Sequence, residues 1–190
     1  SAILKKKFFI KNHQKHPYYK KFLKDNFKLL DFEYKKIIKK NFKHKNFISP
    51  DNFKRKIKKI LKKDEMIAGF HTRNVPHRAH QWAHSFMLNK YKNLLIQPLI
   101  GQYKKSEYLD DVIVKTNKKI SKMYKKNRTF FTTYFSYPRY GGPFEAALHA
   151  IVRKNYGCTH FWVGRDHAGY KDFYSKYSSQ VFCKNNEKKI

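Results

Sequence analysis

Between Asp64 and Gly164 the chain alternates short apolar runs with segments long enough to be helices, and this rhythm limits the folds open to it. Met66 to Phe70 (MIAGF), Asn93 to Ile100 (NLLIQPLI), Thr129 to Phe135 (TFFTTYF) and Thr159 to Gly164 (THFWVG) are strand candidates, the third being a run of β-branched and aromatic residues. Helices are predicted from about His77 to Lys90 and from about Leu109 to Lys125. Another follows over FEAALHAIVRKNY, with Pro143 in its first turn and Gly157 ending it. Strands separated by helices of about ten or more residues imply βαβ units and a parallel sheet, hence the α/β class. Ligands of such a sheet belong at the carboxyl ends of its strands.

The chain has 190 residues, with 41% hydrophobic and 17% aromatic, enough to bury a core. It carries 44 Lys plus Arg against 13 Asp plus Glu, a formal charge of +31. Residues 1 to 63 hold 21 of the 37 Lys, whereas the stretch from His71 to Gln81 has none. That shift divides the chain into an N-terminal segment, residues 1–63, and a second unit, residues 64–190. The first part reads as short helical pieces, one over Asn26 to Phe42 and another running from a Ser49 or Asp51 cap to Lys63. No run of about 18 apolar residues occurs, so an ordinary membrane-spanning helix is not expected. SAILKKKFFI lacks a signal-peptide pattern, and Cys158 and Cys183 cannot make a disulfide scaffold, which together lead to the expectation of a cytoplasmic protein. The Lys bias, alongside Asn, Ile, Phe and Tyr, reads as A/T-rich codon composition, and specific nucleic-acid binding is not expected.

Three polar clusters follow strand candidates. In FHTRNVPHRAH (Phe70 to His80), His77 and His80 are three apart at a helix opening, preceded by Arg73 and Asn74. Backbone N–H groups, imidazoles and a guanidinium there suit a polyphosphate, against the plainer reading of a solvated helix start. A metal reading of the same segment uses His77, His80 and His84, but no Glu or Cys accompanies them and Gln81 stands where an activating carboxylate would be wanted. GRDHAG (Gly164 to Gly169) brackets a cation, a carboxylate and an imidazole between glycines, or is an ordinary turn. PLIGQYKKSEY (Pro98 to Tyr108) offers Lys104 and Lys105 to phosphate, or merely to solvent.

FHTRNVPHRAH, QPLIGQYKKSEY, RYGGPFEAALHAIVRKNYGCTHFWVGRDHAG and YSKYSSQVF, in this order and at these separations, closely resemble the ATP sulfurylase (sulfate adenylyltransferase) family over about Ser49 to Phe182. The resemblance implies a Rossmann-like nucleotidylyltransferase domain in which sulfate attacks the α-phosphorus of ATP, giving adenylyl sulfate and pyrophosphate. It implies ATP and sulfate as partners, Mg2+ accompanying ATP without a protein-bound metal site, no membrane association, and a role in sulfate assimilation. A homo-oligomer is left open. Thr72, Arg73, Asn74, His77 and His80 would be catalytic. His71, Thr72, Arg73, Asn74, Gly164, Arg165, Asp166 and His167 would bind ATP, and His71, Arg73 and the Ala168 backbone would bind sulfate.

The chain departs from the family at His71 (Gln in the family), Val75-Pro76 (Pro one place earlier), Gln81 (Glu), Tyr103 (Thr) and Phe144 (Arg). Two alternatives follow: a related adenylyltransferase with another oxyanion acceptor, or a catalytically inactive basic binding module. Family members carry a longer, PUA-like N-terminal domain and a further C-terminal stretch. Residues 1–63 are therefore expected to be a short, mostly helical remnant or linker, and residues 64–190 a catalytic domain incomplete at its C-terminal end.

Overall fold

The computed structural model describes residues 15–18, 46–101, 108–125 and 127–190. The elements run α1 (Pro50–Lys58), β1 (Ile67–Thr72), α2 (Arg78–Tyr91), β2 (Asn93–Ile100), α3 (Asp110–Met123), β3 (Thr129–Phe131), β4 (Tyr134–Phe135), α4 (Pro143–Asn155), β5 (His160–Phe161) and α5 (Ser178–Asn185). All strand pairs are parallel, in the order β3-β2-β1-β5, with β4 pairing β2 beyond β3. This is the expected parallel α/β architecture. Lys104, Lys105 and the helix expected over Asn26 to Phe42 lie outside the described residues.

β2 is buried along its whole length, as a central parallel strand covered on both faces must be. Its side chains alternate between two cores. Leu94 and Ile96 join Ala68 and Phe70 of β1 against Ala83 and Met87 of α2. Leu95 joins Ile67, Phe130, Tyr156 and Cys158 against Phe53 and Ile57 of α1. Even-numbered positions of β1 and β2 thus face α2, and odd-numbered ones face α1 and α4. That parity decides which side of the sheet His71 occupies.

Several boundaries differ from the sequence expectation for identifiable reasons. TFFTTYF divides into β3 and β4 because the Thr133 amide donates to the Asn46 carbonyl (3.1 Å) instead of continuing the ladder with β2, while Thr132 Oγ1 also bonds the Asn46 carbonyl (3.1 Å). THFWVG is regular only at His160–Phe161; its ladder continues through the Trp162 amide to the Gly69 carbonyl (3.0 Å), after which Gln180 Nε2 takes the Val163 carbonyl (2.9 Å). α1 stops at Lys58 rather than Lys63, although Ser49 is its N-cap as expected. Pro143 opens α4, and Gly157 follows its last turn at φ +88, the left-handed region that glycine enters without a Cβ clash.

Gly69 is required by close approach instead. A Cβ there would lie 2.8 Å from Arg153 Cγ and 3.2 Å from Cys158 Sγ. Gly69→Ala is expected to destabilise the protein by about 1–3 kcal/mol through overpacking, whereas Gly164→Ala, whose Cβ meets nothing within 4 Å, should stay within about 0.5 kcal/mol. Urea unfolding midpoints check the pair, and equal midpoints would exclude the steric role of Gly69.

Candidate active site

The strand order reverses between β1 and β5, because β2 lies on one side of β1 and β5 on the other. At such a switch point the loops leaving the two strands diverge and open a crevice at their carboxyl ends. A cleft of about 160 Å3 lies there. His71, Thr72, Arg73 and Asn74 enter it from the end of β1, His80 from α2, and Gly164, Arg165, His167 and Ala168 from the loop after β5. Pro138, Tyr140, Glu145 and His149 close it from the loop before α4 and from α4 itself.

Of the residues singled out in the sequence, His77 and Asp166 do not line this cleft. His77 is the N-cap of α2 and is exposed, its ring stacked on His80 at 3.9 Å between centroids. Asp166 is exposed in its turn, with its amide bonded to the Lys176 carbonyl. His80 packs edge-on against Phe70, and burial foremost, with the neighbouring His77 second, lowers its pKa to about 4. Arg73 lies over the Tyr140 ring at 4.4 Å, a cation–π contact that holds the guanidinium at the rim. The TRN turn is set by Thr72 Oγ1, which accepts from the Asn74 amide (3.0 Å), and by Asn117 Nδ2 of α3, which donates to the Asn74 carbonyl (3.0 Å).

α4 supplies the residues that sequence reasoning placed only within a motif and gave no role. Glu145, His149 and Arg153 recur every fourth residue and form a buried polar stripe on a helix that otherwise buries alanines. Glu145 accepts from the amides of Arg139 (3.0 Å) and Gly141 (2.8 Å), tying the cleft loop to the helix start; burial raises its pKa. The stripe was readable as E-x-x-x-H-x-x-x-R.

His71, His149 and His167 meet behind the cleft. His71 stacks on His149 at 4.0 Å, and His149 Nδ1 lies 3.1 Å from His167 Nε2. Each offers one nitrogen within 4.8 Å of the others, the metal-capable group among the described residues. It is a different set from His77, His80 and His84, where His84 is buried with Nδ1 3.1 Å from the Tyr124 hydroxyl. Burial foremost, then neighbouring imidazoles and the Arg153 and Arg73 guanidinium groups, hold His71 and His149 well below their ordinary pKa; burial and the same two arginines push His167 to about 3. Burial keeps these rings neutral first, and the positive field of the two arginines that adds to it opposes a metal cation and favours an anion. Cys158 is buried and pushed to about 12 by burial, which makes it an unreactive thiol.

The fold and cleft define a parallel α/β protein with a polar cleft, lined by Arg73 and Arg165, at the switch point of its sheet. Residues 44–190 match the family model described as ATP-sulfurylase, and the chain belongs to that family. It is 40% identical over 134 residues to the sulfate adenylyltransferase of Halothermothrix orenii, covering 70% of this chain and 34% of the relative. It is 44% identical over 120 residues to that of Thermococcus onnurineus, covering 63% and 32%. The chain thus spans about a third of the length of the curated relatives it matches. A solved structure, the hexameric APS kinase from Thiobacillus denitrificans, is similar in fold, with a TM-score of 0.58 at 18% identity, covering 75% of this chain and 26% of that one.

The buried neutral histidines make stability pH-dependent. His84 has its pKa lowered to about 3, by burial first and by His80 second. Its ordinary value is about 6.5, so below that pH the unfolded chain binds the proton that the fold refuses. The stabilisation is complete above about pH 6.5 and is lost as pH falls, at up to about 1.4 kcal/mol per pH unit for one such group. Urea midpoints measured between about pH 7.5 and 4.5 should fall for the unmodified chain and fall less steeply for His84→Gln; parallel slopes would show that His84 is not held neutral.

Proposed function

We propose that the cleft belongs to a sulfate adenylyltransferase, which joins sulfate to the adenylyl group of ATP and releases pyrophosphate. The observation that carries this reading is the convergence of the HTRN loop and the GRDHAG loop on one anion-favouring crevice at the sheet's switch point. At about 160 Å3 the crevice is smaller than an ordinary ligand pocket. It suits the reacting oxyanion and the phosphate it meets rather than a whole nucleotide.

In this reaction a sulfate oxygen attacks the α-phosphorus, the new S–O–P linkage forms, and the bond to the β-phosphate oxygen breaks. No proton must be transferred and no covalent enzyme intermediate is needed. The protein's task is positioning and charge stabilisation. Arg73 and Arg165 supply guanidinium charge at the cleft, and Arg73 together with His71 and the Ala168 backbone would receive sulfate. His80, with His77 stacked on it at the N-terminus of α2, would face the phosphates whose charge grows as pyrophosphate leaves. Thr72, Asn74, Gly164 and His167 would shape the nucleotide side, and Asp166 would act through its turn. Mg2+ would enter on the phosphates of ATP. Among the described lining residues the sole carboxylate is Glu145, whose oxygens already accept two backbone amides, so these residues offer the ion no ready carboxylate ligand.

His71 in place of the family's Gln keeps a second reading in view, a related enzyme that accepts another tetrahedral oxyanion. Phe144, the other substitution behind that reading, packs on Phe182 of α5 at 5.0 Å and is not among the cleft residues. A basic binding module without turnover is the non-enzymatic rival, and salt-sensitive nucleic-acid affinity without ATP chemistry would mark it. The expected homes of such an enzyme are the cytoplasm and sulfate assimilation. No described helix is long and apolar enough to cross a membrane.

Pyrophosphate release from ATP by the full chain should depend on sulfate, and Arg73→Ala should lower it about a hundredfold or more. Release without sulfate dependence would sink the assignment. Release driven by another oxyanion, with sulfate inert, would favour the second reading.

A further inference from the structure

Arg153 is fully buried on α4, yet its guanidinium reaches two residues that line the cleft, His71 and His149. Its stem crosses the face of β1 at Gly69, where only a missing Cβ leaves room. At the far end Nη2 donates to the Gln97 carbonyl (3.0 Å) and to His71 Nδ1 (2.7 Å), while Nη1 donates to the His149 carbonyl (3.3 Å). Burial lowers its pKa only to about 10, so it remains a cation at neutral pH. A guanidinium has donors and no acceptor. His71 Nδ1 must therefore be the bare, accepting nitrogen, and in a neutral ring the hydrogen then sits on Nε2.

Resting on the reading of the cleft as an oxyanion site, we propose that Arg153 is a positioning residue that locks His71 in the Nε2–H tautomer and so presents the oxyanion with a hydrogen-bond donor. Position 71 is odd-numbered on β1, on the same sheet face as Gly69 and α4, so the stripe of α4 reaches it directly. The lock also explains how an imidazole can work where the family has an amide. Gln accepts with its oxygen and donates with its nitrogen; His71, held through Nδ1, reproduces that polarity across one ring. The same bond removes Nδ1 of His71 from any metal coordination, and Nε2, carrying its hydrogen, has no lone pair to give.

The groups facing His71 are known from every element packed on it. α4 contributes Arg153, His149 and, beyond His149 at 3.8 Å from its Nε2, Glu145. The loop after β5 contributes His167, whose ring centroid is 5.2 Å away, and the loop after β1 contributes the Arg73 charge. None of these offers Arg153 a carboxylate partner in place of His71.

The test uses the full chain labelled with 15N-histidine, with the His71 signals assigned by their loss in His71→Leu. Long-range 1H–15N correlation at neutral pH should show His71 protonated at Nε2 and bare at Nδ1; a proton on Nδ1 overturns the lock outright. Arg153→Met should release the tautomer and weaken sulfate binding about tenfold to a hundredfold, with a clearly smaller loss of ATP affinity. In the His71→Leu background Arg153→Met should cost sulfate affinity nothing further, because Arg153 acts through His71. Equal losses for ATP and sulfate, or additive losses in the double variant, would make Arg153 a structural residue only. Arg153→Lys, which keeps a buried charge but not the fork, serves if Arg153→Met does not fold, and it should show the same split. An unmodified chain with the Nε2–H tautomer but no sulfate binding would overturn the oxyanion reading itself, and His71 as sulfate's donor with it.

Discussion

The buried guanidinium of Arg153 is the constraint around which the cleft half of the molecule is arranged. Burying a cation is costly unless its donors are satisfied; here Nη1 and Nη2 are met by two carbonyls and one imidazole rather than by a carboxylate, while Nε is buried without a hydrogen-bond partner. The Tyr134 ring at 5.0 Å and the Phe161 ring at 5.8 Å present aromatic faces to the same charge. Strand β1 must then carry glycine at position 69, and His71 must be neutral and oriented. Because the charge is not neutralised internally, it remains available to attract an anion from the cleft. A carboxylate partner would have made Arg153 easier to bury and the site less able to bind.

The loops around the cleft are held in conformations that free chains avoid. Tyr140, Asp166 and Ala168 have φ of +55, +55 and +57, and none is glycine. Such residues cost about 1–2 kcal/mol each relative to the ordinary regions. Their backbone groups are accordingly well bonded: the Gly142 amide donates to the Ala168 carbonyl (2.9 Å), and buried His16 donates from Nε2 to the Tyr140 carbonyl (3.0 Å). Glu145 ties down the amides on either side of Tyr140. Clustering of strain where two loops meet a ligand site fits preorganisation, since loops already ordered lose little freedom on binding.

The strand–helix rhythm was legible because each helix has its own apolar spacing and each strand its own run. β2 matches NLLIQPLI residue for residue, since a run that is apolar except at Asn93 and Gln97, bounded by Lys92 and Gly101, leaves little choice of limits. TFFTTYF reads as one strand in the sequence because the break depends on Asn46, more than eighty residues earlier, competing for the backbone of Thr133. No local pattern records that competition. The cleft loops were legible as motifs, but the interior of the site was not. Glu145, His149 and Arg153 stand in the sequence only as members of a helix and a motif, and only the fold shows that they face inward. His77 marks another limit of local pattern, for helical spacing puts it beside His80 but does not show which residues line the cleft.

The net charge of +31 and the charge that matters chemically are separate properties of this chain. Lysines crowd α1 and α3, and none of Lys54, Lys56, Lys58, Lys115, Lys118, Lys119 and Lys122 is among the residues that line the cleft. Exposed charges more than a Debye length apart are largely screened at physiological ionic strength. The cleft relies instead on arginines, with Arg73 and Arg165 at its rim and Arg153 beneath it. A planar fork can place a hydrogen bond on a chosen atom, which a flexible ammonium does far less well. Arg153 uses that geometry on His71 Nδ1, and Arg73 uses its flat face on Tyr140. Changing the surface lysines would therefore alter solubility and long-range attraction while leaving the direction of each donor at the cleft intact.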